Sequence, residues 1–296
     1  MAERAIIGLG EWLKTPAGRY LLAWEQAHLD TAVADVFGFH ALQLGLPELD
    51  ALRMNRMPHR WVATEQVEAA AHETPAHANA GLDDAADEVP RAAVALHCDF
   101  DALPFDTNSL DLVVLPHALE LARDPHLALR EVDRVLRPEG RVVIVGFNPG
   151  SLWGLRQHWG RLRQRLVPRS QRPLFLPRTG EFMRYRRLRD WLRLLSFEVE
   201  AGRFGCYRPP VVSAKWLDRF AWMERFGDRW WPVFGAVYFV VAVKRVRGMR
   251  LIGVVREQRT AAKAAPAPVV ALGQHRRMRD VHDRRDRRER SETRRP

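Results

Sequence analysis

The chain has 296 residues, 47% of them apolar and 28% charged, which excludes fibrous, collagen-like and wholly disordered classes and leaves ample material for a core. Residues 1–150 hold 12 basic and 23 acidic side chains, whereas residues 151–296 hold 35 and 13. That division predicts a contact surface for an anionic partner on the second half.

In chain order, Thr15 before Pro16 is a helix N-cap with proline in the first turn, and Tyr20 and Trp24 share a face at i, i+4. The pattern predicts an N-terminal helical segment within residues 1–35. A strand-like apolar run, Phe37–Pro47, is closed by Gly45 and Pro47, and His59–Glu65 is a second strand. Residues 67–90 are rich in Ala, Asp and Glu without apolar periodicity, which predicts a surface insertion, partly disordered. Then AAVALHCDF (92–100) reads as a strand and LDLVVLP (110–116) as a fully apolar one. Asp124-Pro125 opens a helix whose stripe is Leu129, Val132, Val135 and Leu136. Arg137-Pro138-Glu139-Gly140 stops it, and RVVIVGF is a further apolar strand. Strands apolar on both faces, alternating with amphipathic helices, mean an α/β doubly wound, mostly parallel sheet covered on both sides. The domain spans residues 36–247. Its second half contains a basic stretch with 11 arginines over 151–190, a helix–turn–strand over RDWLRLLSFEVEAGRF, and a last strand at Val237–Val246. Residues 248–296 read as a linker and a basic disordered tail.

Cys98 and Cys206 form no C-x-x-C pair, which excludes a disulfide framework or zinc knuckle and fits a reducing cytosol. The Met-Ala-Glu-Arg start leads into no continuous apolar run, so no signal peptide is expected. The longest apolar stretch, Trp230–Val243, contains Pro232 and Gly235 and is too short for a bilayer span. It is read as a buried strand. His72-Glu73-Thr74-Pro75-Ala76-His77 is one residue too long for a zinc-protease helix and contains proline, so no metal is expected.

A doubly wound sheet takes ligands beyond the carboxyl ends of its strands. Gly45 ends the first strand, and Glu65 ends the second 20 residues later, the spacing at which a carboxylate meets ribose hydroxyls. Asp99 and Phe100 end the third, Pro116 and His117 follow the fourth, and Asn148-Pro149 follow the fifth. Strand ends are polar anyway, and each residue taken alone reads more readily as structural than as functional. The ordered set points to an adenosine-containing cofactor.

The stretch CDFDALPFDTNSLDLVVLPHALELARDPHLALREVDRVLRPEGRVVIVGFNP closely resembles the centre of class I S-adenosylmethionine-dependent methyltransferases of the bacterial type-11 group, in which D-x-x-x-LPF follows the third strand and RVLRPGG precedes the fifth. The resemblance implies a seven-stranded Rossmann-like sheet with an antiparallel last strand and S-adenosylmethionine as cofactor. It further implies Glu65 at the ribose, Asp99 with Phe100 at the adenine, and Pro116-His117 facing the methyl donor. The acceptor and the catalytic residues are not specified by it. The first loop departs from the family's acid-x-Gly-x-Gly-x-Gly: Gln43 stands for the acid, Gly45 is the one glycine retained, and Pro47 removes an N–H. Two readings stay open, an enzyme that keeps the cofactor and a non-catalytic relative that binds nucleic acid or a protein through its arginine-rich half. In the second, Arg156–Arg189 and the basic tail would meet nucleic acid, an anionic membrane surface or an acidic partner, with Trp153 and Trp159 interleaved among Arg156, Arg161, Arg163, Arg165 and Arg169 to stack on bases beside held phosphates.

Overall fold

The computed structural model describes residues 9–65, 92–166, 174–177 and 182–245. The insertion at 67–90, the 248–296 tail, the His72–His77 motif and Arg169 lie outside them. Seven strands form one sheet: β1 His40–Leu44, β2 His59–Thr64, β3 Leu96–His97, β4 Leu110–Pro116, β5 Leu136–Phe147, β6 Phe197–Gly205 and β7 Val237–Lys244. Their order is β3-β2-β1-β4-β5-β7-β6. The first five run parallel, and β7 is antiparallel to both β5 and β6. The expected architecture is present, including the inserted antiparallel strand.

Alternation along the strands divides the core. Leu112, Val114, Val143 and Val145 point to one face, where α1 (Pro16–Ala34) packs through Leu21, Leu29 and Val33. Val113, Leu115, Val142 and Ile144 point to the other. There they meet α3 (Pro125–Val135), through Leu129, Val132 and Val135, and α5 (Tyr185–Leu194), through Leu188 and Leu192. Between β4 and α3 lies the single turn α2 (Ala118–Leu121). Thr15 caps α1 by accepting the Gly18 N–H, and Asp124 caps α3 by accepting from His126 and Leu127. The leading helix thus shares the sheet's core.

Several expectations need correction. Strands and helices do not alternate throughout: the β1–β2 connection, residues 45–58, is built of turns, and Leu49, Ala51 and Leu52 fill the space. The predicted strand 92–100 shrinks to Leu96–His97 because Ala93, Val94 and Ala95 are exposed at the sheet's edge. The apolar run Trp230–Val243 is a strand only from Val237. Before it come the end of α7 (Trp222–Trp230), which follows α6 (Ala214–Arg219), and a 3-10 turn at Pro232–Phe234. Trp230, Trp231, Val233 and Phe234 are exposed. The basic stretch forms α4 (Leu152–Leu166), one side of which buries Trp153, Gly154 and Gln157. No helix among the described residues is long and apolar enough to cross a membrane.

Candidate functional site

Strand order reverses between β1 and β4, so the crevice beyond Leu44 and Pro116 is the place a ligand enters such a sheet. Gly45 turns the chain there with φ +78°, a conformation costly for other residues. A Cβ at this position would meet nothing nearer than 3.6 Å, where Ala118 and the tip of Phe100 lie. The loop keeps its shape through Gln43, which is fully buried. Its Nε2 donates to the carbonyls of Gly45 (3.2 Å), Leu46 (3.0 Å) and Leu49 (2.7 Å), and its Oε1 accepts the Ala51 N–H at 2.9 Å. An amide therefore braces from beneath the turn for which the family pattern has an acid and three glycines. The Pro47 carbonyl accepts the Ala92 N–H at 2.7 Å, which ties the loop to the segment entering β3.

Glu65 follows β2 at the rim of this crevice. The Arg123 N–H, beyond α2, donates to its carboxylate, so Glu65 reaches across the end of β1. Oε2 is buried and has no hydrogen-bond partner among the described residues. Burial, followed by the nearby Asp99 charge, raises the Glu65 pKa, with Arg123 opposing and Asp101 adding. Asp99 is exposed, while Phe100 is buried, with its ring against Gly45. The structure therefore brings Glu65 near Asp99 and the Phe100 ring near Gly45, at the carboxyl ends of the first three strands. A buried acceptor that lacks a donor is a costly arrangement in a closed core but a suitable one for a ligand bearing hydroxyls.

Pro116 ends β4 beside this crevice, paired with Val145. His117 is placed differently from the expectation that it faces a methyl donor. Its backbone is left-handed (φ 55°), and its ring is fully buried between Glu120, at 2.9 Å from Nδ1, and Glu25 of α1, at 2.8 Å from Nε2. Burial alone would lower its pKa, but the two carboxylates raise it to about 10. Glu120 also accepts the Phe147 N–H at 2.5 Å. His117 is a charged clasp joining α1 to the ends of β4 and β5, so its side chain does not reach the crevice. Cys98, expected in the core, is half-buried, and Cys206 is buried; both are free thiols. No group of three metal-ligating side chains occurs among the described residues.

A cavity of about 600 Å³ opens beyond β5 on the same edge of the sheet. Ser151, Leu155, His158, Arg161, Phe182 and Arg184 line it. Sequence reasoning missed it, since the arginines and tryptophans of this stretch point to an outward-facing surface, not to a cavity. The available signal was spacing: Asn148-Pro149 ends a strand, and positions 151, 154, 158 and 161 then fall on one helical face.

Residues 60–144 match the protein family described as "Methyltransferase domain". The Escherichia coli (strain K12) "Uncharacterized protein YafS" is 37% identical over 144 residues, 48% of this chain and 52% of that protein. The malonyl-[acyl-carrier protein] O-methyltransferase of Halorhodospira halophila is 43% identical over 70 residues, covering 24% and 23% of the two chains. The chain thus spans about half the length of the first of these curated relatives and about a quarter of the second. In structure it resembles the protein complexed with the Haloferax volcanii Trm112 methyltransferase activator, with TM-score 0.52 and 18% identity over 83% of this chain and 100% of that one. The chain carries the class I methyltransferase fold with a methyltransferase-family segment at its centre.

Proposed function

We propose that the protein is an S-adenosylmethionine-dependent methyltransferase, in which the crevice between β1 and β4 holds the cofactor and the cavity beyond β5 receives the acceptor. The observation that carries this reading is the buried, unpartnered Oε2 of Glu65 at the end of the second strand. A ribose diol supplies the missing donor. When bound, the cofactor contributes an electrophilic sulfonium methyl, so no protein nucleophile is required and positioning supplies most of the rate.

The chain's own groups then have distinct tasks. Glu65 accepts the ribose hydroxyls. Asp99 and Phe100 flank the adenine. The Gly45 backbone allows close approach, and Pro116 with the His117 backbone borders the reacting end. In the cavity, Arg161 and Arg184 favour an acceptor with negative charge, and the His158 imidazole takes the proton an acceptor loses. Both cysteines are free thiols, which supports a cytoplasmic placement.

Calorimetry with S-adenosylmethionine and S-adenosylhomocysteine tests the reading. Binding should be seen with the intact chain and should weaken in Glu65→Ala by about 1.5–3 kcal/mol for each charged hydrogen bond removed. Asp99→Ala should weaken it as well. Because the Glu65 pKa is raised and hydroxyl donors favour its ionised form, affinity should also fall as pH drops through that raised value, and Glu65→Gln should abolish this dependence. An absence of heat and thermal shift at millimolar ligand would favour the non-catalytic alternative, a scaffold working through its arginine-rich half. Of the two tryptophans proposed for base stacking, Trp153 is buried and unavailable, while Trp159 is exposed.

A further inference from the structure

Helix α4 buries one side against the domain and leaves an apolar stripe on another. Leu152, Leu155, Trp159, Leu162 and Leu166 recur at i, i+3, i+7, i+10 and i+14, and each is between 40% and 73% exposed. A stripe at helical period normally faces a core. This one faces away from its own. A second patch stands beside it. Trp222, Phe226 and Trp230 lie at i, i+4 and i+8 on α7 and are more than half exposed, as are Trp231, Val233 and Phe234 in the turn that follows. Leu152 and Leu155 of α4 border the same cavity as Phe234, so the two patches adjoin. Half of the chain's 10 tryptophans, Trp159, Trp216, Trp222, Trp230 and Trp231, are exposed across this region. Exposed apolar surface on this scale marks an interaction site.

The elements that carry it are held firmly. Asn148 Nδ2 donates to the carbonyls of Val233 (2.8 Å) and Gly235 (2.9 Å), which fastens the turn to the end of β5. Trp153 Nε1 donates to the Arg208 carbonyl at 2.7 Å, and Gln157 bonds both backbone groups of Leu176. Glu224 of α7 turns inward to accept the Tyr20 hydroxyl and the N–H groups of Cys206 and Tyr207. These ties leave the aromatic side chains outermost by construction.

We propose that this face, formed by α4, α6, α7 and the turn at Pro232–Phe234, docks on an anionic phospholipid bilayer, lying in the interface without crossing it. The charge pattern selects that occupant. Residues 151–166 contain four arginines and no acid, and residues 214–234 contain Lys215, Arg219, Arg225 and Arg229 against Asp218, Glu224 and Asp228. Glu224 is already engaged inward. Leucine and tryptophan on one side of a helix, with arginine beside them, is the composition that settles at a headgroup boundary, where indole rings are favoured and cations meet lipid phosphates. A two-fold contact with a second copy would set this arginine-rich face against itself. A nucleic acid would leave the leucine stripe without a function. Docked this way, the mouth of the cavity lies beside the bilayer, independently of which cofactor the crevice takes.

The experiment is cosedimentation of the full chain with vesicles. An equimolar mixture of phosphatidylcholine and phosphatidylglycerol should retain the protein, phosphatidylcholine alone should retain it far less, and tryptophan emission should shift to shorter wavelength on binding. The variant Trp159→Ser/Leu162→Ser/Trp230→Ser/Trp231→Ser changes only exposed side chains, so its thermal midpoint should match the parent while its partition coefficient falls at least about tenfold. Three outcomes overturn the proposal: no retention on anionic vesicles at low salt; retention that the apolar variant leaves unchanged, which would assign it to charge elsewhere in the chain; or a dimer in solution that the variant dissociates, which would make the occupant a second copy. Loss of RNA retention in the variant, with vesicle binding intact, would likewise overturn it.

Discussion

At the residue scale, the trio His117, Glu25 and Glu120 is a cluster of ionisable side chains buried together in the core. Each side chain is almost wholly buried, and the His117 ring lies between two carboxyl groups. Removing it with His117→Ala leaves two carboxylates facing each other in the core and should cost about 3–5 kcal/mol, read as a fall in the denaturant midpoint. Its pH signature has a definite sign. The folded pKa of about 10 lies above the ordinary 6.5, so the contribution of His117 is complete below 6.5 and is lost as pH rises through about 10. The parent should therefore lose stability between neutrality and pH 10 by an amount that the His117→Ala variant does not show. The sequence displays His117 only as a polar residue after a strand. Glu25, 92 positions earlier, carries no mark that it reaches this site. The Gln43 brace was hidden for the same reason: an amide at the family's acid position reads as a loss until its four hydrogen bonds are seen.

At the element scale, what was legible was what repeats. The strand at 110–116, the proline-started helices after Thr15 and Asp124, and the helix–turn–strand ending at Gly205 announce themselves by period and cap. The edge strand β3 and the helix-free β1–β2 connection did not, since apolar composition does not tell a buried strand from an exposed edge segment. The turn between α3 and the main part of β5 carries a residue out of character. Leu136 pairs with Leu110 and Arg141 with Leu112, so the intervening residues bulge, and Glu139 takes φ 65° where the family's motif has glycine. Glu139 pairs with Arg245, but both side chains are about half exposed and the pair contributes little. Relief of the left-handed strain outweighs that loss and the added chain entropy of glycine, so Glu139→Gly should stabilise by about 0.5 kcal/mol. Thermal unfolding should show a midpoint raised by about 1–2 °C. A lowered midpoint would mean that the ion pair holds more of the turn than its exposure implies.

At the scale of the whole molecule, the sheet is closed by its last piece. Strand β7 enters between β5 and β6, pairing with both along its length, and it ends at Lys244. Lys244 itself donates to the Asp133 and Leu136 carbonyls at the end of α3, so the end of the last strand is tied to the middle of the domain. Residues 1–247 form one compact unit, within which both layers of the core are complete. A fragment ending at 247 should therefore unfold in one cooperative transition at the parent's midpoint. A fragment ending at 235 leaves the facing edges of β5 and β6 unpaired and Val237, Val240 and Val243 missing from the core, and it should not fold. The same pair of chains separates the contributions to charge. Residues 256–296 hold 13 basic and 6 acidic groups. If they add to any binding of nucleic acid, the full chain should show a steeper fall of log affinity against log salt than the 1–247 fragment, because each phosphate neutralised releases a counterion. Identical slopes would assign all such binding to the folded domain. If neither chain is retained on RNA at low salt, the basic half has no nucleic-acid role, and its arginines are left to the surface on which Trp159 and Trp230 already stand exposed.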